Sequence, residues 1–187
     1  LNVTTTELPG VLIVEPRVFT EARGWFTETW SAARYAASGI PSAFVQDNVS
    51  YSVPDVLRGL HYQLPGAQGK LVSVLAGEVY DVAVDIRVDS PTFRRWVGVT
   101  LSSDNHRQLW VPQGFAHGFF VRKPSIVTYK VDAPYDPRSE RSVLWSDEEL
   151  GIEWPGREPL LSDKDARAPK LRDIPHDLLP RLSSSGC

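Results

Sequence analysis

The 187-residue sequence has one cysteine, no methionine and four histidines. A single thiol, Cys187 in the closing Ser-Ser-Ser-Gly-Cys stretch, supports neither a disulfide framework nor a cysteine metal site. A reducing cytoplasm is the compartment expected from it. Long apolar runs are missing too, and no window approaches the ~18 consecutive apolar residues of a membrane span. Leu1 to Pro9 lack the basic stretch and apolar run of a secretory signal. Basic excess is also absent. The 20 Lys and Arg stand against 23 Asp and Glu, a net charge of −3, which argues against a general nucleic-acid binder. An anionic ligand would have to meet locally placed Arg and Lys. No repeat or long linker divides the chain. The expectation is one domain over residues 1–187, with about 167–187 peripheral to it.

What is present is a series of short apolar or alternating runs. They include Val11–Val14, Trp25–Trp30, Phe44–Val49, Val56–Tyr62, Leu71–Leu75, Val79–Ile86, Trp96–Leu101, Gln108–Val111, Gly118–Val121, Ile126–Val131 and Ser142–Trp145. Turn-prone clusters such as Pro65-Gly66, Ala76-Gly77 and Ser102-Ser103-Asp104-Asn105 separate them. That spacing predicts an all-β sandwich or barrel. Helix signals are few: Ser31 as a cap for Ala32–Ser38 with Gly39 beyond, and one turn at Asp147–Leu150. In Tyr80–Ile86, period-two alternation puts Tyr80, Val82, Val84 and Ile86 on one face and Asp81, Ala83 and Asp85 on the other. Either the acidic face meets solvent, or it lines a polar lumen that holds a ligand.

Two stretches carry chemistry. Leu57-Arg58-Gly59-Leu60-His61-Tyr62-Gln63, followed by Gln68-Gly69-Lys70-Leu71-Val72, places an imidazole between two cations on successive strands. Histidine suits proton abstraction near neutral pH, while Lys and Arg suit an oxyanion or a phosphate. The plainer alternatives are a structural histidine and an Arg58 salt bridge. Arg58 and His61 are three apart, so a regular strand points them to opposite faces, and a bulge at Gly59 would be needed to bring both to one pocket. The second stretch, Pro112-Gln113-Gly114-Phe115-Ala116-His117-Gly118-Phe119, resembles the second half of a cupin motif. The first half would need His-x-His, and here His61-Tyr62-Gln63 lacks the second ligand. Three or four ligands are the norm for a catalytic metal, so no metal site is expected.

Over about residues 8 to 166 the chain resembles the dTDP-4-dehydrorhamnose 3,5-epimerase family, the RmlC type. The resemblance runs in order through Arg23-Gly24-Trp25-Phe26-Thr27-Glu28, Phe44-Val45-Gln46-Asp47-Asn48, the two stretches above, Gly77-Glu78-Val79-Tyr80-Asp81, Tyr129-Lys130 and Leu161-Ser162-Asp163-Lys164-Asp165. It implies a cupin-like jelly-roll β-barrel with a few short peripheral helices, no cofactor, and a homodimer in which segment 23–28 reaches the partner's site. It also implies a dTDP-4-keto-6-deoxyhexose substrate. Residue by residue, His61 matches the base, Asp165 its carboxylate partner and Tyr129 the proton donor. Lys70 and His117 match the lining of the sugar site. Arg23, Phe26, Glu28, Gln46, Asn48, Arg58, Glu140 and Lys164 match substrate contacts, and Tyr135 an aromatic that stacks on thymine.

Elementary chemistry fits these roles. A C4 ketone acidifies the C3 and C5 protons because the carbanion is an enolate. Inversion is simplest with two groups on opposite faces of the ring. Asp165 would fix the His61 tautomer, Tyr129 would enter protonated, and Lys70 would offset charge on the C4 oxygen. Blander readings have Tyr129 and Tyr135 filling a barrel mouth, Asp165 capping a helix turn, and Gln46 and Asn48 on an edge strand. The sequence departs from the family pattern at Val131-Asp132-Ala133-Pro134. Epimerisation at C3 only or C5 only is the alternative to both, and a metal-dependent cupin enzyme is a more distant one.

Overall fold

A computed structural model of the chain describes residues 1–41 and 43–182, so Cys187 lies outside the described residues. Its strands are β1 (Asn2–Thr5), β2 (Leu12–Glu15), β3 (Val18–Glu21), β4 (Gly24–Thr27), β5 (Gln46–Ser52), β6 (Leu57–Gln63), β7 (Lys70–Asp85), β8 (Trp96–Ser102), β9 (Gln108–Val111), β10 (Phe115–Val131) and β11 (Glu140–Ser142). Every strand pairing is antiparallel. β7 and β10 are long and bend, so each serves two layers. One layer runs β8, the second half of β7, the first half of β10, β6 and β11. The other runs β1, β2, β9, the first half of β7, the second half of β10 and β5. The result is a cupin-like jelly roll, as expected.

The long strands correct part of the sequence reading. Ala76-Gly77 is no turn between two strands but a bend within β7, where the ladder to β10 slips out of register. Gly77 adopts φ +81, which lets the chain kink without leaving the sheet. Two strands at the start, β1 and β3, were not anticipated from the apolar pattern. They are short and mostly exposed, so they carry little hydrophobic periodicity.

The inner faces of the two layers meet in one cluster. Val72, Val74, Leu109, Val111 and Val127 come from one side, and Val79, Ala83, Leu101, Phe115 and Phe119 from the other. The alternation in β7 matches neither alternative as stated: Asp81 and Asp85 point inward and are wholly buried, but they sit at the edge of this apolar cluster and do not line the cavity. The opposite, apolar face is not solvent-facing either. Val82, Val84 and Ile86 pack beneath Leu150, Leu171, Ile174 and Leu179 of the C-terminal segment. Each such buried aliphatic side chain contributes roughly 1.5–3 kcal/mol, so residues 167–182 lie outside the barrel but are part of its packing. Asp85 is held by Arg87, Ser90 and Thr92, which lowers its pKa even though burial alone would raise it.

Helices are short. Helix α1 spans Ala32–Ala36, ending before the expected Ser38, and the Ser31 side chain makes no capping bond. What holds α1 is Tyr35, whose hydroxyl stands 2.8 Å from both Thr29 O and Gln108 Oε1 and shares its one proton between these two acceptors. Asp147–Leu150 forms the single turn expected of it. Among the described residues no helix is long and apolar enough to cross a membrane.

Candidate active site

Between the layers, at the end where β5 and β6 leave them open, lies a cavity of about 790 Å³. That volume suits a ligand of nucleotide size. One wall carries His61 and Arg58 from β6 and His117 from β10; the facing wall carries Lys70 from β7, Tyr129 from β10, and Gln46 and Asn48 from β5. The segment after Leu160 closes the side. Leu57 N–H donates to Leu160 O at 3.1 Å, which brings helix α2 (Asp163–Ala166) across the opening.

The bulge required at Gly59 is present. His61 pairs with His117, but Arg58 pairs with Phe119, one residue out of step. Gly59 has φ +116, and a Cβ there would lie 2.7 Å from both Gly118 Cα and His117 O. Only glycine permits this approach, and the slip turns Arg58 into the same cavity as His61.

His61 Nε2 lies 2.6 Å from Asp165 Oδ1, between residues 104 positions apart in the chain. A carboxylate only accepts, so Nε2 carries the proton and Nδ1 is left as the basic nitrogen. Asp165 does not cap its helix. Ser162 does so, accepting from Asp165 N–H at 3.1 Å. Burial alone would raise the Asp165 carboxyl. The hydrogen bond and charge of His61, with smaller help from Ser162 and Gly59 N–H, outweigh it and hold the pKa below the usual carboxylate range. Asp165 thus stays anionic and orients a half-buried imidazole.

A second pair stands beside the first. His117 Nε2 is 2.9 Å from Asp81 Oδ1, and both residues are buried. Strand alternation groups Asp81 with Ala83 and Asp85 and leaves open which way that face points, and nothing local in the sequence points to His117 as its partner. With both histidines committed to carboxylates, no group of three or more metal-binding side chains forms among the described residues.

The opposite wall is less saturated. Among the described residues neither the Lys70 ammonium nor the Tyr129 hydroxyl has a hydrogen-bond or ion-pair partner. Protein crowding around Lys70 drives its pKa down to about 8, against the opposing pull of Asp81 and Glu140. Burial also raises the Tyr129 phenol, with Arg58 working the other way. Among the described residues Arg58 hydrogen-bonds only Ser52 Oγ at 3.0 Å and Tyr51 O at 3.3 Å, and no carboxylate there neutralises its charge.

At the mouth a chain of contacts fixes the remaining expected residues. Gln46 Nε2 donates to Asn48 Oδ1 at 2.8 Å, and Gln46 Oε1 accepts from Tyr135 N–H at 3.0 Å. Tyr135 OH donates to Glu140 Oε2 at 2.9 Å, and Lys164 Nζ pairs with the same oxygen at 2.7 Å. Tyr135 is 48% exposed, a flat aromatic surface at the entrance. Lys164 is therefore already neutralised by Glu140, unlike Arg58.

Three expected site residues lie elsewhere. Arg23, Phe26 and Glu28 sit on or beside the β3–β4 hairpin, which forms its own two-stranded sheet and does not line this cavity. Arg23 pairs with Glu21, and Glu28 with Arg34. Sequence reasoning in turn gave no role to Gln63 and Gln68, which hold the loop before Tyr135 through Pro134 O at 3.1 Å and Ala133 O at 2.8 Å. Both lie within the quoted motifs, but their loop contacts span 71 and 65 residues.

Comparison with known proteins gives one consistent result. The family model described as dTDP-4-dehydrorhamnose 3,5-epimerase matches residues 5–173. A dTDP-4-dehydrorhamnose 3,5-epimerase of Shigella flexneri is 54% identical over 92% of this chain and 97% of its own length. A crystal structure of dTDP-6-deoxy-D-glucose-3,5-epimerase from Legionella pneumophila, in complex with dTDP-4-keto-L-rhamnose, superposes with a TM-score of 0.95. It is 51% identical, covering 98% of this chain and 99% of that one. A 3'-monoepimerase from Streptomyces bikiniensis, in complex with dTDP-quinovose, is more distant at 33% identity and a TM-score of 0.88, covering 94% and 91%.

Proposed function

The chain belongs to the dTDP-4-dehydrorhamnose 3,5-epimerase family, and from that premise we propose that it inverts C3 and C5 of dTDP-4-dehydro-6-deoxyglucose to give dTDP-4-dehydrorhamnose. One juxtaposition carries the proposal. A carboxylate-oriented imidazole on one layer faces a phenol and an ammonium on the other, both without partners among the described residues. Packed sheets stand roughly 10 Å apart, which admits a single pyranose ring with one group on each face.

His61 Nδ1 takes the proton from C3 or C5, and the C–H electron pair moves into the enolate. Lys70 faces the negative charge that develops on the C4 oxygen. Tyr129 then gives its phenolic proton to the opposite face of the same carbon, and solvent restores both groups. Arg58 answers the diphosphate, and Tyr135 stacks on the base at the mouth. Lys164 contributes less field than its charge suggests, because Glu140 offsets it. These steps need no cofactor, and a nucleotide-linked substrate supports a cytoplasmic reaction.

The direct test is NMR of the reaction in deuterated water, with label expected at both C3 and C5. Label confined to one carbon would reduce the activity to that of a monoepimerase. A second expectation concerns pH. Lys70 acts as the ammonium, the form present below its pKa, so kcat is expected to fall as pH rises through about 8. A pH–rate profile flat across that value would remove Lys70 from the charge-stabilising role.

The proposal includes a homodimer whose hairpins cross into each other's cavities. Phe19, Trp25 and Phe26 are 48%, 56% and 68% exposed on that hairpin, and Val49 and Tyr51 on β5, with Val45 and Val53 just beyond its two ends, are exposed as well. Mixing Arg23→Ala with His61→Ala chains is then expected to restore up to about a quarter of wild-type activity, because half the dimers are mixed and each holds one intact site. No recovery on mixing would confine each site to its own chain.

A further inference from the structure

Building on the role given to Lys70 above, we propose that Asp132 is a positioning residue that sets where the Lys70 ammonium stands by clamping the Gly69 peptide. Lys70 is the first residue of β7, and its Cα partner on β10 is Val131. One step further, the ladder would join Gly69 to Asp132. Asp132 N–H does donate to Gly69 O at 3.3 Å, but the return bond is of another kind. Gly69 N–H donates to the side chain, Asp132 Oδ1, at 2.7 Å. A carboxylate oxygen has replaced a backbone carbonyl, making a shorter, charge-assisted bond. The β10 backbone can then leave the sheet at Ala133-Pro134 without stranding the amide of a buried residue.

Asp132 is itself braced. Its Oδ2 accepts from Gln113 Nε2 at 3.1 Å, tying it to the turn between β9 and β10. Gly69 is enclosed from a second direction, since a Cβ there would collide with the Trp110 ring and lie 2.7 Å from Asp132 Oδ2. The peptide preceding Lys70 is thus gripped between an indole and a carboxylate. This matters because the Lys70 side chain has no partner of its own among the described residues, so its location follows from its backbone. Tyr135 is different. Gln46 holds its N–H at 3.0 Å, and Gln63 and Gln68 hold the carbonyls of the two residues before it. Loss of Asp132 would therefore loosen Lys70 and leave the nucleotide end of the cavity in place.

The experiment compares Asp132→Ala and Asp132→Asn in the full chain. Asp132→Ala is expected to lower kcat about tenfold while dTDP affinity changes by no more than about twofold. Asp132→Asn, whose side-chain oxygen still accepts from Gly69, is expected to recover to within about threefold of wild type. A loosened ammonium gains water, so the Lys70 titration in Asp132→Ala moves up from about 8, back towards an ordinary lysine. Carbon-13 NMR of the reductively methylated protein, assigned with Lys70→Ala, reads this without turnover. Unchanged kcat together with an unmoved Lys70 titration in folded Asp132→Ala would overturn the clamp, as would a kcat loss matched by weakened dTDP binding. If wild-type protein failed to epimerise the keto sugar, the functional reading would fall, while the titration would still decide the role of Asp132.

Discussion

Replacing His61 with alanine is expected to lower kcat by about 10²–10⁴-fold while dTDP binds nearly as before. The size follows from the geometry. His61 Nε2 is committed to Asp165 at 2.6 Å, so the ring presents Nδ1 alone, and no other described cavity residue offers an unprotonated imidazole nitrogen so placed. His117, paired with Asp81 in the same manner, does not take over, because its side chain is almost wholly buried at 7% exposure against 25% for His61. The nucleotide affinity should survive because Arg58, Tyr135 and the Gln46 contacts do not pass through His61. Substrate-dependent deuterium uptake is the readout, since it reports abstraction itself. Wild-type uptake in His61→Ala would show that another group removes the proton.

Replacing Tyr129 with phenylalanine should separate the two halves of the reaction. Net inversion is expected to fall by about 10²-fold or more, while deuterium continues to enter recovered substrate. The Tyr129 hydroxyl makes no hydrogen bond to the described protein, so its loss should leave the ring and the fold undisturbed. His61 and Asp165 remain intact and can still remove a proton and return solvent deuterium to the same face. Mass spectrometry of the remaining substrate, set beside NMR of the product, distinguishes the outcomes. Wild-type product formation would place the donor elsewhere. Loss of exchange as well as inversion would mean that Tyr129 is needed for abstraction, and the division of labour between the layers would be wrong.

Much of the molecule is legible in the order of its residues. Alternation and turn chemistry act over a few neighbours, so the all-β class and most strands can be read locally. The grouping of Asp81, Ala83 and Asp85 on one face is equally local, though not the direction that face points, and so is the need for a bulge between Arg58 and His61. The ordered motifs also named most of the residues that line the cavity. Other features depend on pairings over long stretches of chain. Asp165 meets His61 across 104 residues, and Asp81 meets His117 across 36, because ladder register and the closing of two layers decide which side chains touch. The continuity of β7 through Gly77, the burial of its outer face by the C-terminal segment, and the distance of Arg23, Phe26 and Glu28 from their own cavity have the same origin. So does the bond from Gly69 to Asp132, where a side chain finishes a ladder that the backbone abandons. The sequence alone determined which chemical groups this protein has and which strand faces carry them. Only the tertiary structure decided which groups meet, because a contact between distant residues depends on how every strand between them is paired.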